Sequence, residues 1–489
     1  MNNYTIFIDK VLEGEKYLQI YDKSDVVVAG GGPAGIIAAI AAARLGVKIT
    51  LIENNSFLGG VATGAMMTAL VYSQYATGIA LELGIALEFM DNLASKGGAP
   101  KWDFDRKDNQ TIPFDAEVFK DVALEMMLNA GVNLMLYTRV CEAIIINGEI
   151  KGVVTESKSG RYAVLGQIVV DCTGDADLAY NAGAPFEVGR KSDNKMRPFA
   201  LLFRLGGLDI DEMVQYVKEN PDELQPQHTK GTHLMVGDEE VITRISGFYK
   251  LVEKAKKNGE LFPECHYLRF EALWTNRGIA LCNTTRIYNV DGTKVKDLTK
   301  GEVEGRKQIY KLVSFIRQYI PGGENAFLLD VASRIGVRET RRIVGEYYLT
   351  DDDAYADSKF DDAIMTLLDK PLIKRPIPAN LDFHMADPIE GSSTDLLERY
   401  PERVPFEKHS FQIPYRVLLP KSIDNLLVAG RSISVSHMID SITREMISCM
   451  RMGQVAGVAA ALAVKKHLSP KKLNFEDIKL ELVKQKVII

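Results

Sequence analysis

The hydrophobic pattern divides the 489-residue chain into two kinds of region. From Ser24 to about Gly189, short apolar runs such as DVVVA and VKITLIE alternate with segments of helical periodicity, which is typical of an α/β sheet. The segment DAEVFKDVALEMMLNAG, for example, has apolar residues at helical spacing and a glycine stop, so it predicts a helix. After Phe411, the strand NLLVAG and the alanine-rich helix MISCMRMGQVAGVAAALAVKKHL return to this pattern.

The middle of the chain has a different pattern. It holds most of the prolines and two basic stretches, VITRISGFYKLVEKAKKNG and VEGRKQIYKLVSFIRQYI, that predict amphipathic helices. We therefore expect an α/β fold with a Rossmann-like nucleotide-binding domain that is interrupted by an inserted α+β domain. The expected divisions are a discontinuous nucleotide-binding domain at 20–190 and 410–468, a substrate or cap domain at 191–409, and a peripheral tail at 469–489.

Composition narrows the classes of partner and location. Hydrophobic residues make up 46% of the chain and charged residues 25%, as in globular proteins, and the net charge of -6 gives no reason to expect nucleic acid as a partner. The five cysteines have no CxxC pair or zinc-ligand spacing, which favours reduced thiols, a cytoplasmic location and no bound metal. Residues 26–43 carry no charge, but glycines and a proline interrupt them, so a buried strand, turn and helix are expected rather than a membrane span.

The glycine motif Gly30-x-Gly32-x-x-Gly35 follows the strand DVVVA and opens a helix. In such a motif the first glycine allows the tight turn, the second lets the backbone approach a pyrophosphate, and the third lets helix and strand pack closely. The helix N-terminus adds N–H groups and partial positive charge. Glu53 ends the next strand, where a carboxylate accepts hydrogen bonds from ribose hydroxyls. These features predict dinucleotide binding; the alternative is a packing turn with Glu53 as a surface charge.

Four segments carry a resemblance to a known family. Residues 26–63 resemble the N-terminus of FAD-dependent oxidoreductases with the glutathione-reductase-like fold. The segments IVVDCTGDADLAYNAGAPFEVG, IGVRETRRIVGEYYLT and NLLVAGRSISVSHMIDSITREMISCMRMGQVAGVAAALA resemble the bacterial FAD-dependent oxidoreductase family that is often grouped with fumarate reductase flavoproteins. The resemblance spans most of the chain and implies FAD as cofactor, but it implies no particular substrate.

The resemblance also implies which residues hold FAD. The pyrophosphate is assigned to Gly30, Gly32, Pro33, Ala34 and Gly35, and the adenosine ribose to Glu53 and Asn54. Gly59 and Gly60 are assigned to the ribityl or pyrophosphate part of FAD, and the backbone of Val140 to the adenine. Thr173 and Gly174 match a turn that is found in the family. The flavin phosphates are assigned to Gly430 and Arg431, and a helix start that points at the flavin pyrimidine edge to Gly453, Gln454, Ala456 and Gly457.

Three residues are candidates for substrate chemistry. His437 lies in the segment that the resemblance places at the flavin ring, where an imidazole can accept or donate a proton; the alternative is a histidine that hydrogen-bonds the backbone. Arg338 and Arg444 are candidates for binding an anionic group, because a guanidinium pairs with a carboxylate or phosphate. The alternatives are ion pairs with nearby carboxylates, such as Glu339 for the first and Asp440 for the second.

Further side chains have weaker patterns. Tyr415 and the cluster Trp274, Asn276 and Arg277 are possible pocket-lining residues, although an aromatic residue is more often part of the core. The run Asp351 to Asp353 follows Thr350 and is interpreted as a set of helix N-terminal caps rather than a metal site.

The resemblance therefore implies an FAD-dependent oxidoreductase, a dehydrogenase or reductase, and we expect it to transfer a hydride between flavin N5 and a small polar substrate. A substrate with a carboxylate or several hydroxyls suits the arginines. The expected partners are that substrate and an external electron acceptor or donor, because the chain has no second GxGxxG motif for a nicotinamide domain. The alternatives are an oxidase or monooxygenase that uses oxygen, and a non-catalytic flavin-binding sensor or interaction protein.

Overall fold

A computed structural model describes residues 17–71, 83–101, 111–191, 193–223, 232–236, 239–271, 278–368 and 410–487, together with short strands at 4–6 and 11–13. The strands are β1 Tyr4–Ile6, β2 Val11–Glu13, β3 Ile20–Ala29, β4 Ile49–Ile52, β5 Ala69–Val71, β6 Thr111–Pro113, β7 Asn133–Met135, β8 Thr138–Ile146, β9 Glu149–Ser157, β10 Gly160–Asp171, β11 Phe186–Val188, β12 Phe203–Gly206, β13 Thr232–Val236, β14 Glu239–Gly247, β15 Leu268–Glu271, β16 Ala280–Cys282, β17 Phe327–Val331, β18 Arg341–Ile343, β19 Ala363–Leu368, β20 Ser410–Pro414 and β21 Leu426–Val428.

The α-helices are α1 Pro33–Arg44, α2 Ile85–Ser95, α3 Ala116–Asn129, α4 Asp177–Asn181, α5 Ile210–Glu219, α6 Tyr249–Lys257, α7 Val295–Tyr319, α8 Asp351–Tyr355, α9 His437–Thr443, α10 Met446–Lys466 and α11 Phe475–Lys484. The predicted N-terminal caps are confirmed at α8, where the Thr350 hydroxyl accepts a hydrogen bond from the Asp353 N–H and the Asp353 carboxylate accepts one from Thr350.

A parallel sheet with the strand order β7-β4-β3-β10-β21 is the centre of the first domain. Strand β10 also pairs antiparallel with β9 near its start, so β8 and β9 extend the sheet as a meander. Successive residues of β3 face opposite sides: Val26 and Val28 pack in one cluster with α1 and α10, and Val27 and Ala29 pack in another with residues of β9. The predicted α/β fold with a Rossmann-like parallel core is confirmed.

A second, antiparallel sheet, which we name the cap sheet, has the strand order β13-β14-β15-β16-β12-β17. Helix α7 covers one of its faces, where Leu312 and Phe315 pack with Phe203 and Phe270 in a separate hydrophobic cluster. The helix that the sequence predicts over VEGRKQIYKLVSFIRQYI is confirmed as part of α7.

The other basic stretch of the middle region is corrected by the structure. The helix predicted over VITRISGFYKLVEKAKKNG is wrong in its first half, because residues 241–247 belong to strand β14 and the helix α6 begins only at Tyr249. Successive side chains of VITRISG point to opposite faces of the sheet, so Ile245 enters the core of the cap sheet while Arg244 faces the other side. Basic residues further along the stretch gave it a helical appearance.

Two parts of the predicted domain division also differ. Residues 469–489 are not a peripheral tail, because Ile478 and Leu482, one helical turn apart on α11, are fully buried in the core of the first domain. Leu349 and Ile364, which the prediction places in the cap domain, pack in that same core. The remaining division into two domains stays a prediction.

Helix α10 has the composition of a membrane span but the environment of a core helix. It is the one helix in the described part of the chain that is long and apolar enough to cross a membrane, with a mean hydropathy of 1.5. Because 89% of that apolar stretch is buried inside the fold, the rest of the chain covers it.

Candidate active site

The turn between β3 and α1 is shaped by two glycines that leave no room for a side chain. Gly30 has a φ of +102°, and a Cβ atom there would lie 2.5 Å from the carbonyl oxygen of Cys172. A Cβ atom on Gly35 would lie 1.9 Å from the carbonyl oxygen of Gly30. These two glycines therefore let α1 pack directly on the ends of β3 and β10, as the motif predicts.

Gly32 has a different environment, because the space beside it is open. Its nearest neighbour within 4 Å of a hypothetical Cβ is the Cα of Gly60, at 3.9 Å. Gly32 caps α1 without a side chain, and the first turn of the helix contains no acidic residue. Gly59 donates its N–H to the carbonyl of Gly31 at 2.8 Å, which holds the two glycine segments together. This cradle of free helix N–H groups fits a pyrophosphate.

Glu53 is buried, with 6% exposed surface, so the alternative of a surface charge is wrong. One carboxylate oxygen accepts the N–H of Gly31 at 2.7 Å, and the other accepts the N–H and side-chain amide of Asn55 at 2.7 and 2.6 Å. Glu53 thus fixes the glycine turn, and its contact with a ribose stays a prediction. Asn54 is exposed, whereas its neighbour Asn55, which was not predicted as a site residue, holds the carboxylate. Val140 lies on β8, where it pairs with Thr155.

Two distant predicted motifs meet at the carboxyl end of the parallel sheet. The Arg431 guanidinium donates its Nε–H to the carbonyl of Gly174 at 2.8 Å and also contacts the carboxylate of Asp175. Thr173 donates its N–H and hydroxyl to Asp171 at 3.0 and 2.7 Å. Gly430 has a φ of +103° and lies against Ala34 in the first turn of α1. The structure therefore brings the two motifs to the glycine cradle, as the resemblance implies.

The expected position of the residues on α10 is wrong. They were predicted at a helix start, but α10 begins at Met446, so Gly453 lies in its interior. Hypothetical Cβ atoms on Gly453 and Gly457 would each lie 2.1 Å from a carbonyl oxygen of α1, which shows that these glycines permit close packing of the two helices. The side chain of Gln454 accepts the N–H of Ile85 and donates to Gln485, each at 3.0 Å, and Ala456 is fully buried.

His437 is the first residue of α9 and belongs to a buried group of charges, which we name the closed network. It consists of Arg197, Glu339, Arg342, His437 and Asp440. The His437 Nδ1 lies 2.8 Å from a carboxylate oxygen of Glu339, which is fully buried. Arg197 contacts Glu339 at 3.3 Å and Asp440 at 2.8 Å, and Arg342 pairs with Glu339. His437 is 10% exposed, so it lies at the edge of this network.

The electrostatics of the closed network follow from its burial. Burial by itself would raise the pKa of Glu339, but Arg197 and His437 outweigh it and lower this pKa to about 2. Burial raises the pKa of Asp440, because Arg197 only partly compensates for the lost solvent. Glu339 is therefore ionised over the whole physiological range and fixes the orientation of the His437 ring.

The three arginines of the segment VRETRR do not converge on one site. Arg338 donates to the carbonyl of Pro198 at 2.6 Å, and Arg341 pairs with Asp177 at 2.8 Å while it covers the ring of Tyr180. Arg342 is buried in the closed network. Ion pairing thus accounts for Arg341 and Arg342, and the anion-binding role of Arg338 stays a prediction.

The remaining candidates lie in different places. Arg444 caps the C-terminus of α9, and its Nε is buried without a hydrogen bond to the described residues, so its anion-binding role stays a prediction. Tyr415 is part of the core, with its hydroxyl donating to the carbonyl of Pro470 at 3.2 Å. Trp274, Asn276 and Arg277 lie outside the described residues.

Two residues of the closed network were not predicted as site residues. The sequence offered Glu339 only as a possible ion-pair partner of Arg338, and no local pattern singled out Arg197. Arg197 and Glu339 are 142 positions apart, and Arg197 and Asp440 are 243 positions apart. The only local signal was the density of charge around Thr340, which is flanked by Arg338, Glu339, Arg341 and Arg342.

Comparisons with known proteins support the cofactor assignment. The sequence profile of the family described as FAD dependent oxidoreductase matches residues 25–482. Leghemoglobin reductase from Glycine max is 62% identical over 39 residues, which are 8% of this chain and 8% of that protein. Mitochondrial dihydrolipoyl dehydrogenase from Dictyostelium discoideum is 33% identical over 92 residues, which are 15% of this chain and 19% of that protein. The matches therefore span less than a fifth of these curated relatives.

The solved structures that match this chain have little sequence in common with it. A geranylgeranyl bacteriochlorophyll reductase-like protein from Thermoplasma acidophilum has a TM-score of 0.45 and 14% identity, with 95% of this chain and 82% of that chain covered. The myxobacterial chondrochloren halogenase has a TM-score of 0.44 and 12% identity, with 95% and 79% covered.

The profile match extends over nearly the whole chain, and the residues of the glycine cradle fit the pyrophosphate of FAD. The protein is an enzyme that uses FAD as its cofactor. It belongs to the FAD-dependent oxidoreductase family.

Proposed function

We propose that this enzyme transfers a hydride between a small polar organic substrate and flavin N5, and that His437 moves the accompanying proton. Bound FAD supplies the carrier for the hydride, and the polypeptide must orient the substrate and handle the proton. The observation that supports this proposal is the contact of 2.8 Å between His437 and the buried Glu339.

The Glu339 carboxylate determines which ring nitrogen of His437 carries the proton. Since the pKa of Glu339 is lowered to about 2, the carboxylate accepts the Nδ1–H hydrogen bond at neutral pH. This tautomer leaves the lone pair on Nε2, which is the atom that accepts a hydroxyl proton when a substrate alcohol is oxidised. In the opposite direction, Nε2–H returns the proton. Glu339 is a positioning residue in this scheme, because it acts through His437.

The first experiment identifies the cofactor and the direction of the reaction. Purified protein is expected to show a flavin absorbance spectrum and to release FAD on acid denaturation. Small hydroxy and keto compounds are then mixed with the protein under anaerobic conditions, and loss or return of the visible flavin absorbance identifies the substrate. Peroxide release or an oxygen requirement during turnover would contradict hydride exchange with an organic acceptor.

The second experiment tests the proton transfer. His437→Ala is expected to lower kcat by about two to four orders of magnitude while the FAD content stays unchanged. The matched control is His467→Asn, because His467 is exposed at the C-terminal end of α10 and does not belong to the closed network. Glu339→Gln is expected to shift the acid limb of the pH profile of kcat, since the charge beside the imidazole is lost. Unchanged kcat in His437→Ala would overturn the assigned role.

A further inference from the structure

The face of the cap sheet that α7 leaves uncovered carries a group of charged residues. Phe270 and Cys282 face the hydrophobic cluster beneath α7. Since side chains alternate along a strand, Arg269 and Glu271 on β15 occupy the other face. Arg244 on β14 is directly opposite Glu271 in the strand register, so it shares that face. We name Arg244 and Arg269 the cap arginine pair.

Arg269 is neutralised by its neighbours. Its Nε donates to a carboxylate oxygen of Glu271 at 2.7 Å, and Glu271 is fully buried. Burial alone would lower the pKa of Arg269, but Glu271 and, more weakly, Glu445 raise it. Glu445, the residue before α10, is therefore close enough to Arg269 for its charge to influence this pKa.

Arg244 has no equivalent partner. Its guanidinium makes no hydrogen bond or ion pair with the residues that the structure describes, although it is only partly exposed. Burial and the neighbouring charge of Arg269 lower the pKa of Arg244 to about 10, and the charge of Glu271, which Arg269 already pairs with, offsets them only in part. A partly desolvated cation next to a second cation is unfavourable unless an anion joins it.

The same face of the cap sheet lies over the chain that leaves the glycine cradle. The amide nitrogen of Asn283, a buried residue just after β16, lies 3.9 Å from the sulfur of Met67 and 3.5 Å from Glu271. Gly64, which lies in the same segment as Met67, accepts the N–H of Arg334 at 3.2 Å. Residues 59–67 thus lead from Gly59 and Gly60, which are predicted to bind FAD, to Met67, which contacts the cap sheet beside Glu271.

We propose that Arg244, with Arg269 beside it, binds one carboxylate group of the substrate. Among the described side chains of β14 and β15, this face carries the guanidinium groups of Arg244 and Arg269 and the carboxylate of Glu271, which leaves one positive charge in excess. A single carboxylate neutralises that excess, whereas a phosphate dianion would exceed it. A guanidinium also matches a carboxylate with two parallel hydrogen bonds. This inference rests on the proposed function, because it names the substrate class of the same site.

The test measures binding rather than turnover, so its result does not depend on hydride transfer. FAD-loaded protein is titrated with propionate and with the neutral, similarly shaped propionamide, and flavin difference spectra and Tm are recorded. We expect propionate to raise Tm and perturb the spectrum, with propionamide much weaker. Methyl phosphate is the third probe, and tighter binding of methyl phosphate than of propionate would overturn the carboxylate assignment.

Variants then assign the binding to the proposed residue. Arg244→Gln is expected to weaken propionate binding by about ten- to a hundred-fold, since a charged hydrogen-bonding partner is lost. Arg244→Lys keeps the charge without the planar fork, so it is expected to give an intermediate affinity and serves if the first variant does not fold. Equal affinity in the wild type and both variants would overturn the proposal.

The matched control is Arg204→Gln on the same sheet. Arg204 already pairs with Asp330, with Nε at 2.9 Å from a carboxylate oxygen, so its removal is expected to leave propionate affinity unchanged. An equal loss of affinity in this control would mean that general surface charge, rather than Arg244, attracts the anion, and would overturn the proposal. Preserved propionate binding together with an unaffected His437→Ala kcat would refute the proton-transfer role and leave the carboxylate site intact.

Discussion

The closed network and the cap arginine pair differ in how far their positive charges are balanced by neighbouring carboxylates. In the closed network, Arg197 and Arg342 face the carboxylates of Glu339 and Asp440, so cations and anions are equal in number. In the cap sheet, Glu271 compensates Arg269 but Arg244 is left over. Buried charges that form ion pairs with each other stabilise the fold, whereas a buried charge without an ion-pair partner is able to bind a ligand of opposite charge.

The largest expected effect on stability comes from removing one partner in the closed network. Glu339→Gln leaves Arg197 and Arg342 with an uncompensated buried charge, and breaking such a pair typically costs about 3–5 kcal/mol in the free energy of unfolding. Urea denaturation measures it. The matched control is Glu142→Gln, whose exposed pair with Arg161 is expected to contribute less than about 1 kcal/mol. If Glu339→Gln lowered the free energy of unfolding as little as Glu142→Gln, the closed network would not stabilise the fold.

The pH dependence of stability is expected to show an intermediate effect. The folded pKa of Glu339, about 2, lies below the ordinary value of about 4.3, so its contribution is fully present above the ordinary value. That contribution is lost as pH falls toward and through about 2, because the unfolded chain then binds the proton more readily. The free energy of unfolding should therefore fall more steeply in this window for the wild type than for Glu339→Gln. Parallel slopes would contradict the lowered pKa.

The smallest expected effect separates the cap arginine pair from an ordinary surface ion pair. Without ligand, Arg244→Gln is expected to keep the free energy of unfolding unchanged or raise it by about 0.5–2 kcal/mol, because an uncompensated cation is removed. Arg204→Gln, in contrast, breaks a half-exposed pair and is expected to lose up to about 1 kcal/mol. A strong loss of stability in Arg244→Gln would show that the residue has a structural partner instead.

Local patterns predicted much of the first domain. The strand before the glycine motif, the helix after it and the parallel sheet all follow from runs of a few residues, and the structure confirms them. The prediction was wrong where two periodicities overlap, as in VITRISGFYKLVEKAKKNG, because the basic residues of α6 obscured the alternation in β14. That error concealed Arg244, since a helix would have placed it on a solvated basic face.

The candidate site was predictable only in its cofactor half. Gly30, Gly35 and Glu53 act through contacts with residues close to them in sequence or at the ends of adjacent strands. Gly453 and Gly457 were recognised as significant, but their observed contacts are with α1, and a helix–helix approach leaves no signature at one position alone. Their packing role is visible only when both helices are placed.

By itself, the sequence determined the glycine turn and the alternation of strands and helices, because these depend on backbone sterics and on the period of apolar residues. Its resemblance to a known family implied the cofactor FAD. Only the tertiary structure decided which charges are compensated. Arg197 forms an ion pair with Asp440 across 243 positions, whereas Arg244 lies opposite Glu271 in the strand register while Glu271 pairs with Arg269. Electrostatic free energy depends on distance and burial in space, and the order of residues along the chain fixes neither of these.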